Sequence, residues 1–326
     1  MPQRNHERSS KRSSSPSIFP LAPTSQSHAP PNITAMANVK NKLAEFGELL
    51  KIEHSLFALP FAFMGAILAA SGWPDLRTAL IIALAMFFAR TAGMSFNRVL
   101  DAAIDRDNPR TSERAVAAGR VSAKSVWLLA LACLIGLSFC AWLLNPLAFM
   151  LSPLCHALLF GYSLMKRFTW GCHIFLGLVE AFAPLGGWIA VRGTCSEPTP
   201  YWLGAATITW IAGMDIVYAT QDVEVDRRKS LHSIPARFGL EKSFLLARGL
   251  HILTMLLLLG AGFSYGAGWA YHVGMLLVAG LFIYQHSLVS AQNVQRLNFA
   301  FFGVNSWIAF ILMLFTFLET CELFHS

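Results

Sequence analysis

Charge is what this 326-residue chain has least of: 13% of its positions are Asp, Glu, Lys or Arg, against 55% hydrophobic. A soluble domain carries roughly a quarter of its residues as charges, so the shortage excludes an ordinary globular protein and makes the bilayer the expected solvent. Cysteine is scarce too. The six, Cys133, Cys140, Cys155, Cys172, Cys195 and Cys321, show no paired metal-ligand spacing, which argues against a zinc module and leaves core packing as their expected role. No apolar h-region of a secretory signal opens the chain. Residues 1 to 38 have little apolar content and are rich in Ser, Pro, Arg and His, so they cannot bury enough surface to offset the entropy of ordering, and a disordered tail is expected. Its arginines and few acids resemble a mitochondrial transit peptide, and Met36 offers a second start ahead of an amphipathic lead-in over 38 to 50.

Long apolar tracts are what the chain has in abundance. About 20 apolar residues suffice to cross ~30 Å of hydrocarbon as a helix. Nine such tracts are read at 49 to 71, 76 to 98, 122 to 144, 146 to 165, 171 to 191, 201 to 221, 243 to 264, 268 to 289 and 297 to 318. The expected fold class is therefore all-α and integral to the membrane, with residues 39 to 320 as one domain. The basic residues behind the net charge of +7 sit in loops between tracts, where lysine and arginine mark the cytoplasmic side, so no nucleic-acid partner is needed to explain them. With the N-terminus inside, the loops after the second, fourth and sixth tracts share the cytoplasmic face, and an odd count puts the C-terminus outside. Cys195 and Cys321 then lie on the outer side, where a disulfide between them is conceivable. The expected location is the cell inner membrane, as a multi-pass protein, or the mitochondrial inner membrane in a eukaryote.

Two of the cytoplasmic loops carry carboxylates at helical spacing. Residues four apart share a helix face, so Asn97, Asp101 and Asp105 form one polar stripe at the end of the second tract. Asp215, Asp222 and Asp226, seven and then four apart, form another at the end of the sixth. Facing each other, two such stripes present hard oxygen ligands in small number, which Mg²⁺ completes with water and substrate phosphates. Arg110 and Arg114, just beyond the first stripe, suit phosphate oxygens. Lys166 and Arg167, in a polar cluster with Tyr162 at the end of the fourth tract, suit either a diphosphate or the carboxylate of an acceptor.

Other polar residues in the tracts carry weaker signals. His54 lies with Lys51 and Glu53 at the mouth of the first tract, ahead of a kink at Pro60, and reads equally as an interfacial residue and as an acceptor ligand. Arg90, deep in the second tract, is expected to face the bundle interior, for a structural partner or a substrate. Glu180 stands mid-way through the fifth tract beside Pro184, Gly186 and Gly187, an intramembrane carboxylate with no partner visible in the sequence. His251 and Asn305 read as interhelical hydrogen-bond partners.

At these residues the chain resembles the UbiA family of intramembrane aromatic prenyltransferases. The likeness rests on Asn97, Asp101 and Asp105 followed by Pro109, Arg110, Thr111, Arg114 and Gly119. It also rests on Asp215, Asp222 and Asp226 followed by Ser233, Pro235, Phe238 and Gly239, and on the block Tyr162, Met165, Lys166, Arg167 and Thr169. It covers residues 45 to 318. It implies nine helices around a central cavity with the acidic motifs on a cytoplasmic cap, Mg²⁺, a polyprenyl diphosphate donor and a phenolic or naphthoic acceptor. The 4-hydroxybenzoate branch resembles the motifs most, while His232 and the entry Lys51, Glu53, His54 look like relatives that act on 1,4-dihydroxy-6-naphthoate for menaquinone. In this reading Mg²⁺ is held by the catalytic set Asp101, Asp105, Asp222 and Asp226, while Asn97, Arg110, Arg114, Lys166, Arg167, Asp215, Tyr162 and His54 bind substrates. A secondary transporter would also carry intramembrane carboxylates. It would not need five aspartates on two stripes beside arginine loops.

Overall fold

The computed structural model describes Gly47, residues 52–290 and residues 297–321. The expected tail, the lead-in, Lys51 and the side chains of Glu53 and His54 lie outside the described residues. Every regular element described is helical. The long helices are α1 (Ile52–Ala70), α2 (Leu76–Leu100), α3 (Ala123–Leu144), α4 (Pro146–Met165), α5 (Cys172–Arg192), α6 (Thr199–Ala219), α7 (Leu240–Tyr265), α8 (Trp269–Leu288) and α9 (Asn305–Glu319). Short helices Ala102–Arg106, Val223–Arg228 and Ile234–Phe238 interrupt the loops that follow α2 and α6.

Local chemistry sets the ends. Asp75 accepts from Thr78 N at 3.0 Å to start α2, and Ser122 accepts from Ser125 N at 3.1 Å to start α3. Asn145 closes α3, caps α4 by accepting from Ala148 N, and donates to Ile189 O at 2.8 Å, so one residue ties three helix ends together. Gly193 stops α5 in the left-handed region at φ 67.

Among the described residues seven helical segments are long and apolar enough to cross a membrane. The chain is thus a multi-pass membrane protein. In α8 His272, Gln285 and His286 dilute the hydropathy below that standard. The sixth tract, expected to end at 221, gives α6 to Ala219, after which a 3-10 turn over Thr220–Asp222 leads into the charged short helix Val223–Arg228. Large apolar side chains stand outward, Ile135 at 72% and Met150 at 74% exposure among them, as a lipid-facing surface requires.

Helix packing leaves a hollow. Sequential helices lie side by side, α9 returns onto α1, and α1 also crosses α5. That crossing needs glycine. A Cβ on Gly65 would come within 1.9 Å of Pro184 O, and one on Gly187 within 1.9 Å of Ala62 O, so the small residues let two backbones touch. Inside α1 to α6 is a cavity of about 470 Å³ with a largely apolar wall that includes Ala62, Met86, Leu151, Leu159, Val179 and Ala183. On the other side of the bundle Trp210 is fully buried and donates to Asn305 Oδ1 at 2.8 Å. His251 meets His286 at 2.8 Å. Both polar residues are interhelical partners, as expected.

Candidate active site

The first stripe begins as α2 ends. Asp101 terminates that helix, and Asp105 N bonds to Asp101 O at 2.7 Å, so the helical spacing runs through the junction. Asn97 Nδ2 donates to Asp101 Oδ2 at 3.0 Å. Two cations from the end of α4 also hold Asp101: Lys166 Nζ lies 2.7 Å from Oδ2, and Arg167 Nη2 lies 3.0 Å from Oδ1. One turn on, Arg114 Nη1 reaches both oxygens of Asp105 at 2.8 and 2.9 Å. Asp101 and Asp105 are 1% and 5% exposed, and burial at that depth is tolerable for a carboxylate only with such partners.

The second stripe spreads its three carboxylates over different partners. Asp222 receives Asn108 Nδ2 at 2.8 Å and Arg110 Nε at 3.0 Å. Arg110 also donates to Tyr218 OH at 3.0 Å, and its guanidinium lies over the Tyr218 ring. Burial alone would lower the Arg110 guanidinium, but the hydrogen bond and charge of Asp222 outweigh it and hold the group above its ordinary value. Asp226 accepts from Ser233 Oγ at 2.6 Å and lies within electrostatic reach of Lys166 and Asp222. Asp215 faces elsewhere. Its Oδ2 is 2.7 Å from His173 Nδ1, and His173 Nε2 accepts from Ile234 N at 3.2 Å. Because Nε2 accepts, the proton sits on Nδ1 and the histidine is a neutral donor to Asp215.

The two motif loops therefore face each other. Asn108 and Arg110 cross from the first to Asp222 in the second, and Lys229 crosses back to Asp107. Lys166 O accepts from His232 N at 2.6 Å, which brings the end of α4 into the same place. Tyr162 lines the cavity, its hydroxyl 3.4 Å from Gly93 O, so the polar assembly, about one helical turn beyond at Asn97 and Lys166, adjoins the apolar hollow.

Several expectations need correction. Asp215 is paired with His173 and helps seat the short helix Ile234–Phe238; it does not join Asp222 and Asp226. Glu180 does have a partner, Arg90 at 2.8 Å, invisible in the sequence because it comes from another helix. All six cysteines are free, Cys195 and Cys321 included. Sequence reasoning also passed over three residues. Asn108 reads as a turn former, His173 as a lone histidine, and Arg98 as one more basic residue of the stretch. Arg98 is 5% exposed and senses Asp105, Arg114, Tyr162 and Tyr218.

No three His, Cys, Asp or Glu side chains among the described residues converge on one point. The donor set nevertheless suits Mg²⁺. It consists of hard oxygens in two i, i+4 pairs, each beside side chains that bind phosphate, and Mg²⁺ is usually held by one or two carboxylates plus substrate phosphates rather than by a protein cage. The fit is to a magnesium diphosphate, since a bare ion would leave the surrounding cations without partners.

The model of the UbiA prenyltransferase family matches residues 58–313. The chain belongs to that family. Among UbiA relatives, a 4-hydroxybenzoate octaprenyltransferase of Marinobacter nauticus is 31% identical over 286 residues, which are 86% of this chain and 96% of that protein. One of Vibrio cholerae is 33% identical over 74% of this chain and 82% of its own length. The apo structure of a UbiA homolog from Aeropyrum pernix K1 superposes with a TM-score of 0.75 at 31% identity, covering 83% of this chain and 99% of that one. A UbiA homolog from Archaeoglobus fulgidus bound to GPP and Mg²⁺ shares the fold, with a TM-score of 0.64 at 20% identity over 85% and 99% of the two chains. The protein is accordingly an enzyme of the aromatic prenyltransferase class.

Proposed function

We propose that this UbiA enzyme transfers a polyprenyl group from its diphosphate to a ring carbon of a hydroxylated aromatic acid, in quinone biosynthesis. The observation that carries the reading is the crossing of Asn108 and Arg110 onto Asp222, which sets both acidic motifs and their cations around the mouth of one apolar cavity. Asp101, Asp105, Asp222 and Asp226 would hold Mg²⁺. When bound, the metal neutralises the charge that develops on the departing diphosphate.

The chain's own cations complete the grip. Lys166, Arg167, Arg114 and Arg110 each lie on a carboxylate, so four positive charges balance the aspartates at rest. With a magnesium diphosphate bound, the carboxylates would serve the metal, and the Lys166 ammonium and the three guanidinium groups would be free to bind phosphate. Arg98, buried beside them, adds a further phosphate donor. The cavity holds the prenyl tail and keeps water from the allylic carbon. Arg90 in its wall is the counter-charge within reach of an acidic acceptor.

Acceptors of the 4-hydroxybenzoate type are favoured by the names of the relatives. A 1,4-dihydroxy-6-naphthoate is the second reading, favoured by His232 and by the entry Lys51, Glu53, His54. We further place residues 39 to 320 in one domain of nine membrane-spanning helices, with the motif loops on the cytoplasmic face of the cell inner membrane, or of the mitochondrial inner membrane in a eukaryote.

Purified full-length protein with geranyl diphosphate, Mg²⁺ and either acceptor should release diphosphate and yield the C-prenylated acid. Failure to release any diphosphate with Mg²⁺ present would return the chain to a non-catalytic role such as transport.

A further inference from the structure

Of the cations around the two acidic motifs, Lys166, Arg167, Arg114 and Arg110 each lie on a carboxylate. Arg98 does not. Its side chain is 5% exposed, and among the described residues nothing accepts a hydrogen bond from it or pairs with it. Its nitrogens are nevertheless not among the sealed polar atoms, which include Arg90 Nε and Arg167 Nε, so the guanidinium opens on space inside the site. A buried charge without a partner is strongly destabilising, because no attraction offsets its desolvation. Such a group fits a place that an anion fills.

The helix locates that anion. Arg90, Met94 and Arg98 follow one another four residues apart along α2, and Asp101 and Asp105 continue the same face. Met94 is the last residue of α2 to line the cavity, and Asp101 is the first carboxylate. Arg98 stands between them, about 6 Å along the axis from one and about 4.5 Å from the other, and side chains on a helix lean toward its N-terminus, here toward the cavity. It senses Asp105 and Arg114 on one side and Tyr162, a cavity residue, on the other. In the transfer proposed above, on which this inference rests, the tail in the cavity and the diphosphate on the clamp are joined at one place, the bond from the first prenyl carbon to the bridging oxygen of the α-phosphate.

We propose that Arg98 is a metal-independent anion seat that holds the donor's α-phosphate at its bridging oxygen, so that the diphosphate binds before Mg²⁺. The chain offers bare Mg²⁺ no such seat: no three acidic side chains converge among the described residues, and Asp101, Asp105 and Asp222 are each covered by a cation. A diphosphate lying on Arg98 adds the oxygens that the carboxylates alone do not supply. When the carbon–oxygen bond breaks, its electron pair stays on the bridging oxygen and the carbon becomes the allylic cation. An N–H of Arg98 meets the charge that develops on that oxygen.

The test takes purified full-length protein in detergent with EDTA and inorganic diphosphate as the probe, read by titration calorimetry and by the thermal midpoint. The wild type should bind diphosphate without metal and melt higher as it does so, whereas Mg²⁺ alone, in place of EDTA, should give neither signal. Arg98→Gln should weaken diphosphate binding by about 10–10²-fold. In EDTA without diphosphate it should melt above the wild type, because the unpaired charge is gone; removal of a merely structural arginine would lower the midpoint. Arg98→Lys keeps the charge without the fork, so it should weaken binding by about three- to tenfold, and it carries the test should Arg98→Gln not fold. With geranyl diphosphate and Mg²⁺, Arg98→Gln should lose about 10²-fold in kcat. Binding in EDTA that is equal within about twofold in the variants and the wild type, or wild-type binding that requires Mg²⁺, overturns the seat. Loss of 4-hydroxybenzoate binding in Arg98→Gln with diphosphate binding intact overturns it too, and gives Arg98 to the acceptor carboxylate. Failure of the wild type to release diphosphate from geranyl diphosphate with Mg²⁺ overturns prenyl transfer itself, separately from the binding measured in EDTA.

Discussion

The first aspartate stripe is clamped from outside its own helix, by Lys166 and Arg167 on Asp101 and by Arg114 on Asp105, whereas the second sends Asp222 to the opposite loop, Asp226 to Ser233 and Asp215 to His173. In the first, every carboxylate is balanced by a side chain that can move to a phosphate. In the second, one member has become scaffold. Asp215 and His173 tie α6 to α5, and His173 in turn holds Ile234 at the start of the short helix that carries Pro235 and Phe238. Equal spacing along a helix therefore does not confer equal work; the neighbouring element against which each residue packs decides it.

The strongest attack on that contrast is to remove the metal. Chelation should abolish turnover and Mg²⁺ should restore it, measured as diphosphate release, because both stripes lose their exchange partner together. Asp101→Ala comes next, with a loss of roughly 10²–10³-fold in kcat. Arg110→Ala breaks the bridge between the stripes, and a loss of about 10–10²-fold is expected, shared between kcat and the KM for the donor. Asp215→Asn should sit well below these. It keeps a hydrogen-bond acceptor for His173 Nδ1, so kcat should fall by less than about tenfold, while the thermal midpoint drops by the amount a weakened buried hydrogen bond allows, about 1–2 kcal/mol. If Asp215→Asn proves as damaging to kcat as Asp101→Ala, without loss of stability, the division between working and scaffold carboxylates is wrong.

Spacing alone made the stripes readable. Intervals of four and seven placed Asp101, Asp105, Asp222 and Asp226 on shared faces, and the apolar tracts gave the helices that carry them. Pairings across helices stayed hidden. Arg90 and Glu180 are 90 residues apart, and nothing local in either tract records that α2 and α5 turn those two positions toward one hollow. His173 is a single histidine next to a cysteine, and only the register of α5 against α6 brings it to Asp215. Asn108 looks like a turn former before Pro109 and is also one, since its Oδ1 accepts from Arg110 N; its second contact, with Asp222, has no local signature. The limits of α8, expected at 268 to 289, hold at Trp269–Leu288, although its polar residues pack inward, Gln285 at 2% exposure, and make it read as less apolar than its neighbours.

The smallest effect belongs to the other charged stitch between the same two loops, and it sharpens what burial adds. Lys229 pairs with Asp107 where both are open to solvent, whereas Arg110 and Asp222 are largely covered. The hydrogen bond from Lys229 and its charge hold Asp107 below the ordinary carboxylate value of 3.8. A depressed folded-state value means the pair contributes above that ordinary value and loses its contribution only as pH falls through the lower one. Between pH 8 and pH 5 the contribution should therefore be constant, and screening should keep it small. Asp107→Asn is expected to leave kcat and thermal midpoint at pH 7 close to wild type, with any residual difference vanishing at high salt. A loss approaching that of Arg110→Ala would mean that the loops are held together by their charges wherever those lie, and that the covered contact at Asp222 has no special standing.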